Sequence, residues 1–137
     1  MRKIFKHKIK VYYEDTDAIG VVYYANYLKF LERARSEALS EVGLSNLKIK
    51  KDYGALIVVK SCNIDFNKSA YLEDKLEINS FVTSFSKTSF KMSQLIHRNK
   101  DIIVKSKVHL VFVNEESKPI KIPENILKRL KPFLFIN

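Results

Sequence analysis

Between Tyr24 and Val42 the apolar residues of this chain recur at helical spacing over a length that no other stretch matches. Leu28, Leu31, Ala34 or Arg35, Ala38 and Val42 fall on one face, while Lys29, Arg33, Glu37 and Glu41 fall on the other. Gly43 follows at the position where helices commonly stop. Such a stripe must be covered by something large. Residues 4–14, 55–66, 75–86, 88–98 and 102–113 supply it, because they read as strands rich in β-branched and aromatic residues. Leu76, Ile78, Ser80 and Val82 alternate with polar neighbours, and Ile102, Val104, Ser106, Val108, Leu110 and Phe112 share one face. The connections at Asn67-Lys68-Ser69, Ser86-Lys87-Thr88 and Arg98-Asn99-Lys100-Asp101 are short, which makes neighbouring strands antiparallel. Glu124 to Lys131, behind Pro123, reads as a short closing helix. The expected class is α+β, a curved antiparallel sheet of about five strands wrapped around one long helix. Ile103, Val111 and Val113 on the other sheet face predict a second packed sheet, and hence an oligomer.

The 137 residues, 46% of them hydrophobic, suffice for one core, and no Pro/Gly/Ser-rich stretch interrupts them. Residues 1–137 are therefore read as a single domain. Lysine and arginine outnumber acids by 25 to 15, a net charge of +10 that suits phosphate-bearing partners. The lysines are scattered, without the basic cluster interleaved with aromatics that would point to nucleic acid. Cys62 is the single cysteine, so neither an internal disulfide nor a cysteine metal cluster can form, and its apolar surroundings predict a small core residue. The N-terminal residues lack an apolar signal core and no run approaches membrane-spanning length, so a cytoplasmic protein without membrane insertion is expected.

The chemistry concentrates in Tyr13-Glu14-Asp15-Thr16-Asp17-Ala18-Ile19-Gly20, which leads from the first strand into the long helix. This places a carboxylate, Asp17, close to the free N–H groups of a helix N-terminus, an end that favours developing negative charge. A carboxylate beside such an oxyanion site is a minimal kit for hydrolysing an activated acyl group. An EF-hand reading fails because Ile19 and Asn26 stand where position 5 and the bidentate carboxylate belong. An aspartyl phosphotransferase reading fails because Ile19 stands where Thr or Val is wanted and the chain is too antiparallel. No Gly-x-Ser-x-Gly, His-Glu-x-x-His or glycine-rich nucleotide loop occurs, and His7, His97 and His109 are scattered through strands. Residue chemistry alone leaves open whether Asp15 and Asp17 catalyse or only cap the turn.

Three blocks decide more: Val11 to Asp17 continuing through Gly20–Leu28 and Phe30–Arg35, then Gly54–Val59, then Ile64–Phe66 with Ala70–Asp74. In these the chain resembles the hot-dog-fold acyl-CoA thioesterases of the 4-hydroxybenzoyl-CoA thioesterase family, and within it the subgroup associated with the bacterial Tol-Pal envelope system. The resemblance implies that Asp17 is the catalytic acid and that the backbone N–H of Tyr24 binds the thioester carbonyl oxygen. Position 24 is often His in that subgroup; Tyr here leaves a backbone role intact and puts a side-chain acid role in doubt. Lys87, Thr88 and Ser89 match the segment that binds coenzyme A across the subunit boundary, with Lys87 as a phosphate partner. Asn26 and Glu32 are implied supporting residues, Asn26 bracing the turn through its amide. No cofactor or metal is implied, coenzyme A being part of the substrate, and the assembly would be a homodimer or homotetramer. The rival expectation is a non-catalytic module that holds acyl-CoA or an acyl carrier protein in envelope lipid metabolism. The acyl chain itself is not legible, since pocket depth depends on residues near Val58, Val59 and the helix.

Overall fold

A computed structural model describes residues 3–135. Its strands are β1 (Phe5–Lys10), β2 (Leu56–Phe66), β3 (Lys75–Phe85), β4 (Ser89–Arg98) and β5 (Asp101–Val113). Its α-helices are α1 (Asn26–Glu41), α2 (Asn46–Tyr53) and α3 (Glu124–Leu130). All strand pairs are antiparallel, in the order β1-β3-β4-β5-β2. The expected five strands are present within a residue or so, apart from β1, which is shorter than 4–14. There the Asp15 carboxylate folds back to accept the Tyr12 N–H at 2.9 Å, and a 3-10 turn over Tyr13–Asp15 replaces the strand.

Helix α1 is 16 residues long, starts after Tyr24 and Ala25, and buries Tyr27, Phe30, Leu31, Ala34, Ala38 and Leu39. The stripe is thus rotated from the expected one. Leu28 is about half exposed, and the two aromatics one residue before and two after it take the buried face, where Tyr27 Oη accepts the Ala70 N–H at 3.0 Å. The helix ends where Gly43 predicts. Leu44 N–H bonds Leu39 O at 2.8 Å, Gly43 N–H bonds Ser40 O at 3.0 Å, and Gly43 has φ +78°. This pairing satisfies the last carbonyls through a left-handed residue that glycine adopts without strain. Helix α2 was not expected. It is only eight residues, buries Ile49 alone, and rests on local signals: Ser45 Oγ accepts the Lys48 N–H at 3.2 Å and Gly54 closes it at φ 61°. The Glu124 helix forms as expected, one residue shorter.

The core falls into two clusters. One gathers Val11, Val22, Tyr27, Phe30, Leu31 and Ala34 against Leu76, Ile78, Ile96 and Ile103. The other gathers Ala38, Leu39, Leu44 and Ile49 with Phe5, Phe90, Phe112 and α3. Between them the sheet carries a buried polar row, Ser80, Gln94 and Ser106, which are cross-strand neighbours. Gln94 Nε2 donates to Leu31 O and to Ser80 Oγ, both at 3.0 Å, and its Oε1 accepts from Arg35 Nη1 at 2.9 Å. Cys62 is partly buried with its Sγ 3.7 Å from Ser106 Oγ. The expected apolar outer face is smaller than the alternation implied. A register shift between Ile96 and His97 turns Ile103 into the core, Val113 is also buried, and Val111 alone of the three stays partly open.

Candidate active site

Asp17 sits at the first corner of a tight turn that Gly20 closes. Gly20 N–H bonds Asp17 O at 3.1 Å, Asp17 N–H bonds Val21 O at 2.9 Å, and Gly20 takes φ +85°. Asp at the first position and Gly at the fourth are the residues this geometry favours. Asp17 Oδ1 accepts the Ile19 N–H at 3.0 Å and the Val21 N–H at 3.4 Å. The side chain is exposed, and among the described residues only Oδ1 is engaged, so Oδ2 is available to a substrate or a water. Part of the capping role that residue chemistry left open is therefore real, and it uses one of the two oxygens.

The turn is tied to the start of α1 through one atom. Asp15 O accepts both the Tyr23 N–H at 3.0 Å and the Asn26 Nδ2 amide at 2.8 Å, with Asp15 itself buried. The first helical bonds then run from Asn26 N to Tyr23 O, Tyr27 N to Tyr24 O and Leu28 N to Ala25 O. This leaves the N–H groups of Tyr24 and Ala25 without a backbone acceptor among the described residues. They are orphan donors at the positive end of the helix dipole. The Tyr24 ring is exposed and leans on Tyr23, with centroids 4.9 Å apart, and the adjoining Tyr24 phenol holds the Tyr23 phenol above its ordinary pKa.

A second layer fixes the turn from behind. Val22 N–H bonds Ala70 O at 2.9 Å and Leu72 N–H bonds Gly20 O at 3.1 Å, stitching residues 20–22 to residues 70–72. That segment is itself held by Asp74, whose Oδ2 accepts the Tyr71 N–H at 2.8 Å and Arg98 Nη1 at 2.7 Å. Arg98 also donates to Ser69 O at 3.0 Å. No motif in the sequence marks Arg98. The signal available was the acid–base complementarity of Asp74, inside a matched block, with a lone arginine at a hairpin, and that is too common to single out.

Lys87 and Thr88 lie in the β3–β4 turn and Ser89 opens β4. Within the chain that turn is at the far end of β3 from residues 70–72, and an 11-residue strand spans about 35 Å. The structure of one chain does not bring Lys87 to Asp17. Lys87 is exposed and its carbonyl accepts the Ile122 N–H at 2.9 Å, while Thr88 O accepts the Phe112 N–H at 2.9 Å. Ser89 is buried and shares its Oγ with Ser86 Oγ at 2.6 Å and His109 Nε2 at 2.9 Å. Partial burial, then Lys60 and Lys91, keep the His109 imidazole below its usual pKa. Glu32 is exposed, accepts from Ser36 Oγ at 2.8 Å, and stands on the rim of a cavity of about 300 Å³ between α1, α2 and the sheet. Neither Asp17 nor Tyr24 lines that cavity. Among the described residues no group of three or more His, Cys, Asp or Glu could hold a metal ion. No helix among them is long and apolar enough to cross a membrane.

Residues 11–130 match the thioesterase-like superfamily. The acyl-CoA thioester hydrolase YbgC of Escherichia coli O6:H1 is 35% identical over 130 residues, covering 93% of this chain and 96% of that protein. The acyl-CoA thioesterase YbgC of Haemophilus influenzae is 34% identical over 123 residues, covering 89% and 90%. The crystal structure of a probable thioesterase from Bartonella henselae superposes with a TM-score of 0.85 at 33% identity, covering 88% of this chain and 100% of that one.

Proposed function

Because this chain belongs to the thioesterase-like superfamily, we propose that its Asp17 carboxylate hydrolyses an acyl-CoA thioester whose carbonyl oxygen is held by the Tyr24 N–H. That the chain is an enzyme, an acyl-CoA thioester hydrolase on a five-stranded hot-dog sheet with helices, rests on the family and on relatives of similar length at about 35% identity. The observation that carries the assignment of Asp17 is the Asp15 carbonyl joint. It couples the acidic turn to the open N–H groups at the start of α1, which serves as the central helix of the fold. A nucleophilic Asp17 forms a mixed anhydride and releases coenzyme A thiolate, after which water opens the anhydride. A general-base Asp17 instead takes a proton from the water that attacks the thioester directly. Thiolate leaves without protonation, so the route needs no acid at position 24. In a single turnover in heavy-oxygen water, a mixed anhydride opened by water at the Asp17 carbonyl gives an unlabelled product acid and a labelled Asp17, which marks the nucleophile.

The substrate brings its own coenzyme A and no further cofactor takes part. Lys87 meets a coenzyme A phosphate, with Thr88 and Ser89 shaping the turn, and Asn26 and Glu32 support the site. Since Lys87 and Asp17 are far apart in one chain, the complete site needs a second copy, and of the two edge strands, β1 and β2, the longer and more exposed β2 is the one proposed to pair. A homodimer meets this requirement, and a homotetramer stacks two such pairs. A cytoplasmic site of action and membership of the Tol-Pal-associated subgroup complete the proposal. Thiol release from a panel of acyl-CoAs by the parent and by Asp17→Asn tests it. The variant is expected to lose about 10²–10⁴ in kcat. Tight retention of acyl-CoA or acyl carrier protein by the parent without turnover would instead establish a binding module.

A further inference from the structure

Lysines that look scattered along the chain are gathered by the fold onto one side of the sheet. Side chains of a strand alternate between its two faces, so every second residue shares one. In β1, Lys6, Lys8 and Lys10 are exposed and alternate with the inward Phe5 and Ile9. In β5, Lys105 and Lys107 are exposed and alternate with the buried Val104, Ser106 and Val108. Lys75 of β3 is registered opposite Lys10, and Lys91 of β4 opposite His109, both on the face turned away from α1. Lys60 is the extra residue of the β2 bulge, and its charge, like that of Lys91, bears on the His109 imidazole. Eight lysines thus stand on this outer face against two acids, Glu77 and Asp65, where the whole chain has 25 basic residues to 15 acidic. On the exposed face of α1, by contrast, Lys29 and Arg33 meet Glu32, Glu37 and Glu41. Among the described residues none of the eight lysines is held in an ion pair.

Like charges set directly opposite each other, as Lys10 and Lys75 are, weaken a sheet, and an anionic partner relieves them. A second copy stacked on this face by a two-fold axis would set lysine against lysine. Protein interfaces are depleted in lysine and enriched in arginine. Here Arg33, Arg35 and Arg129 lie on helices instead, and Arg98 is tied to Asp74. Phe81, the one aromatic within the basic field, is partly covered and leans on Phe135 with centroids 5.0 Å apart. A nucleic acid duplex is read by a helix or ribbon that enters a groove, and a sheet face presents neither. An anionic bilayer asks only for positive charge spread over an area. Five strands, about 4.8 Å apart and up to about 35 Å long, supply it. We propose that the outer face of the sheet adsorbs the protein, through these lysines, to a membrane surface rich in anionic phospholipid. The attraction is electrostatic and inserts nothing into the hydrocarbon. The sheet stands between this face and α1, so the helix side stays turned to water. Adsorption is independent of the hydrolysis proposed above.

Co-sedimentation compares vesicles of phosphatidylcholine with vesicles of phosphatidylcholine mixed with phosphatidylglycerol. The parent is expected to pellet with the mixed vesicles alone, and to come off in salt of about 1 M, where the screening length shrinks to about 3 Å. Each lysine is expected to contribute about fivefold in vesicle affinity, so Lys91→Gln, Lys105→Gln and Lys107→Gln combined should lower it about a hundredfold. Removing the same charge from α2, by Lys48→Gln, Lys50→Gln and Lys51→Gln, should lower it less than about fivefold, because α2 packs on the other side of the sheet. Thermal melting confirms that each variant folds. Should the outer-face variant fail to fold, acetylation of the parent decides. Bound to mixed vesicles, Lys91, Lys105 and Lys107 should be shielded from acetic anhydride relative to Lys50 and Lys51, as read by peptide mass spectrometry. Equal losses from the two triple variants, no pelleting with anionic vesicles, or uniform acetylation would each overturn the proposal. A protein that ignores anionic vesicles but is retained on immobilised polyglutamate, and loses that retention in the outer-face variant, would also overturn it and assign the face to an acidic protein.

Discussion

The two halves of the core share one sheet and one helix yet are built to different ends. Around the first turns of α1, Tyr27, Phe30 and Leu31 fill the space against Ile78, Ile96 and Ile103, and main-chain bonds lock residues 20–22 to residues 70–72. Around the last turns, the small residues Ala38 and Ala55 leave a void of about 300 Å³ under α2 and α3. Protein interiors are normally close-packed, so the packing at this end of the helix departs from that at the other. The lesson is a contrast along one helix: its first turns are pinned by packing and main-chain bonds, and its last turns border open space. The Ser80, Gln94 and Ser106 row marks the border.

Breaking the tight end where it touches chemistry should have the largest effect. Tyr24→Pro deletes the N–H proposed as oxyanion donor just ahead of the helix, with folding checked by thermal melting. The expected loss in kcat is about 10²–10³-fold, with Tyr24→Phe close to the parent. Equal turnover by Tyr24→Pro would remove the oxyanion assignment. Next is the border. Gln94→Leu strands the Arg35 guanidinium and the buried Ser80 hydroxyl in the interior, at a cost of about 3 kcal/mol in urea unfolding. Burial already lowers the Arg35 pKa, so the loss of its acceptor is not a neutral change.

A smaller effect is expected behind the acidic turn. Arg98→Ala releases Asp74 and Ser69 O from a partly buried pair and should cost about 2 kcal/mol. If the clamp positions Asp17, kcat should fall while KM stays close to the parent value, and Arg98→Lys should restore part of it. At the loose end, Gly43→Ala forces a side chain into φ +78° with its Cβ 2.9 Å from Arg129 Nη1, an expected cost of about 1 kcal/mol. The slightest change concerns His109. Its folded pKa lies below its unfolded value, so the folded state binds fewer protons and stability is lost as pH falls below about 6.5. His109→Gln should flatten that acid limb, as read by thermal melts across pH.

Much of this was legible in the residues. Strict alternation in β3 and β5 placed the sheet, and Gly43 placed the end of α1, because both signals are local and physical. The rotation of the buried stripe was not legible. Leu28 reads as more apolar than Tyr27, and only the Ala70 N–H, brought in from a distant loop, makes burial of a tyrosine favourable. Ile103 was misplaced for a related reason, since one shifted pair near His97 flips the face and nothing local announces it. Helix α2 escaped because eight residues with one buried side chain carry little periodic signal. At the site, Asp17 stood out by its motif, while the Asp15 carbonyl joint, the Arg98 clamp and the cavity depend on long-range packing that no spacing encodes.

One comparison tests the centre of the account most directly: thiol release by the parent and by Asp17→Asn, with folding checked by thermal melting. The amide keeps an oxygen for the Ile19 and Val21 N–H groups, so the turn should stand and the melting temperature should hardly move. The account expects turnover to collapse in a folded protein. A folded Asp17→Asn that releases coenzyme A as fast as the parent would contradict it.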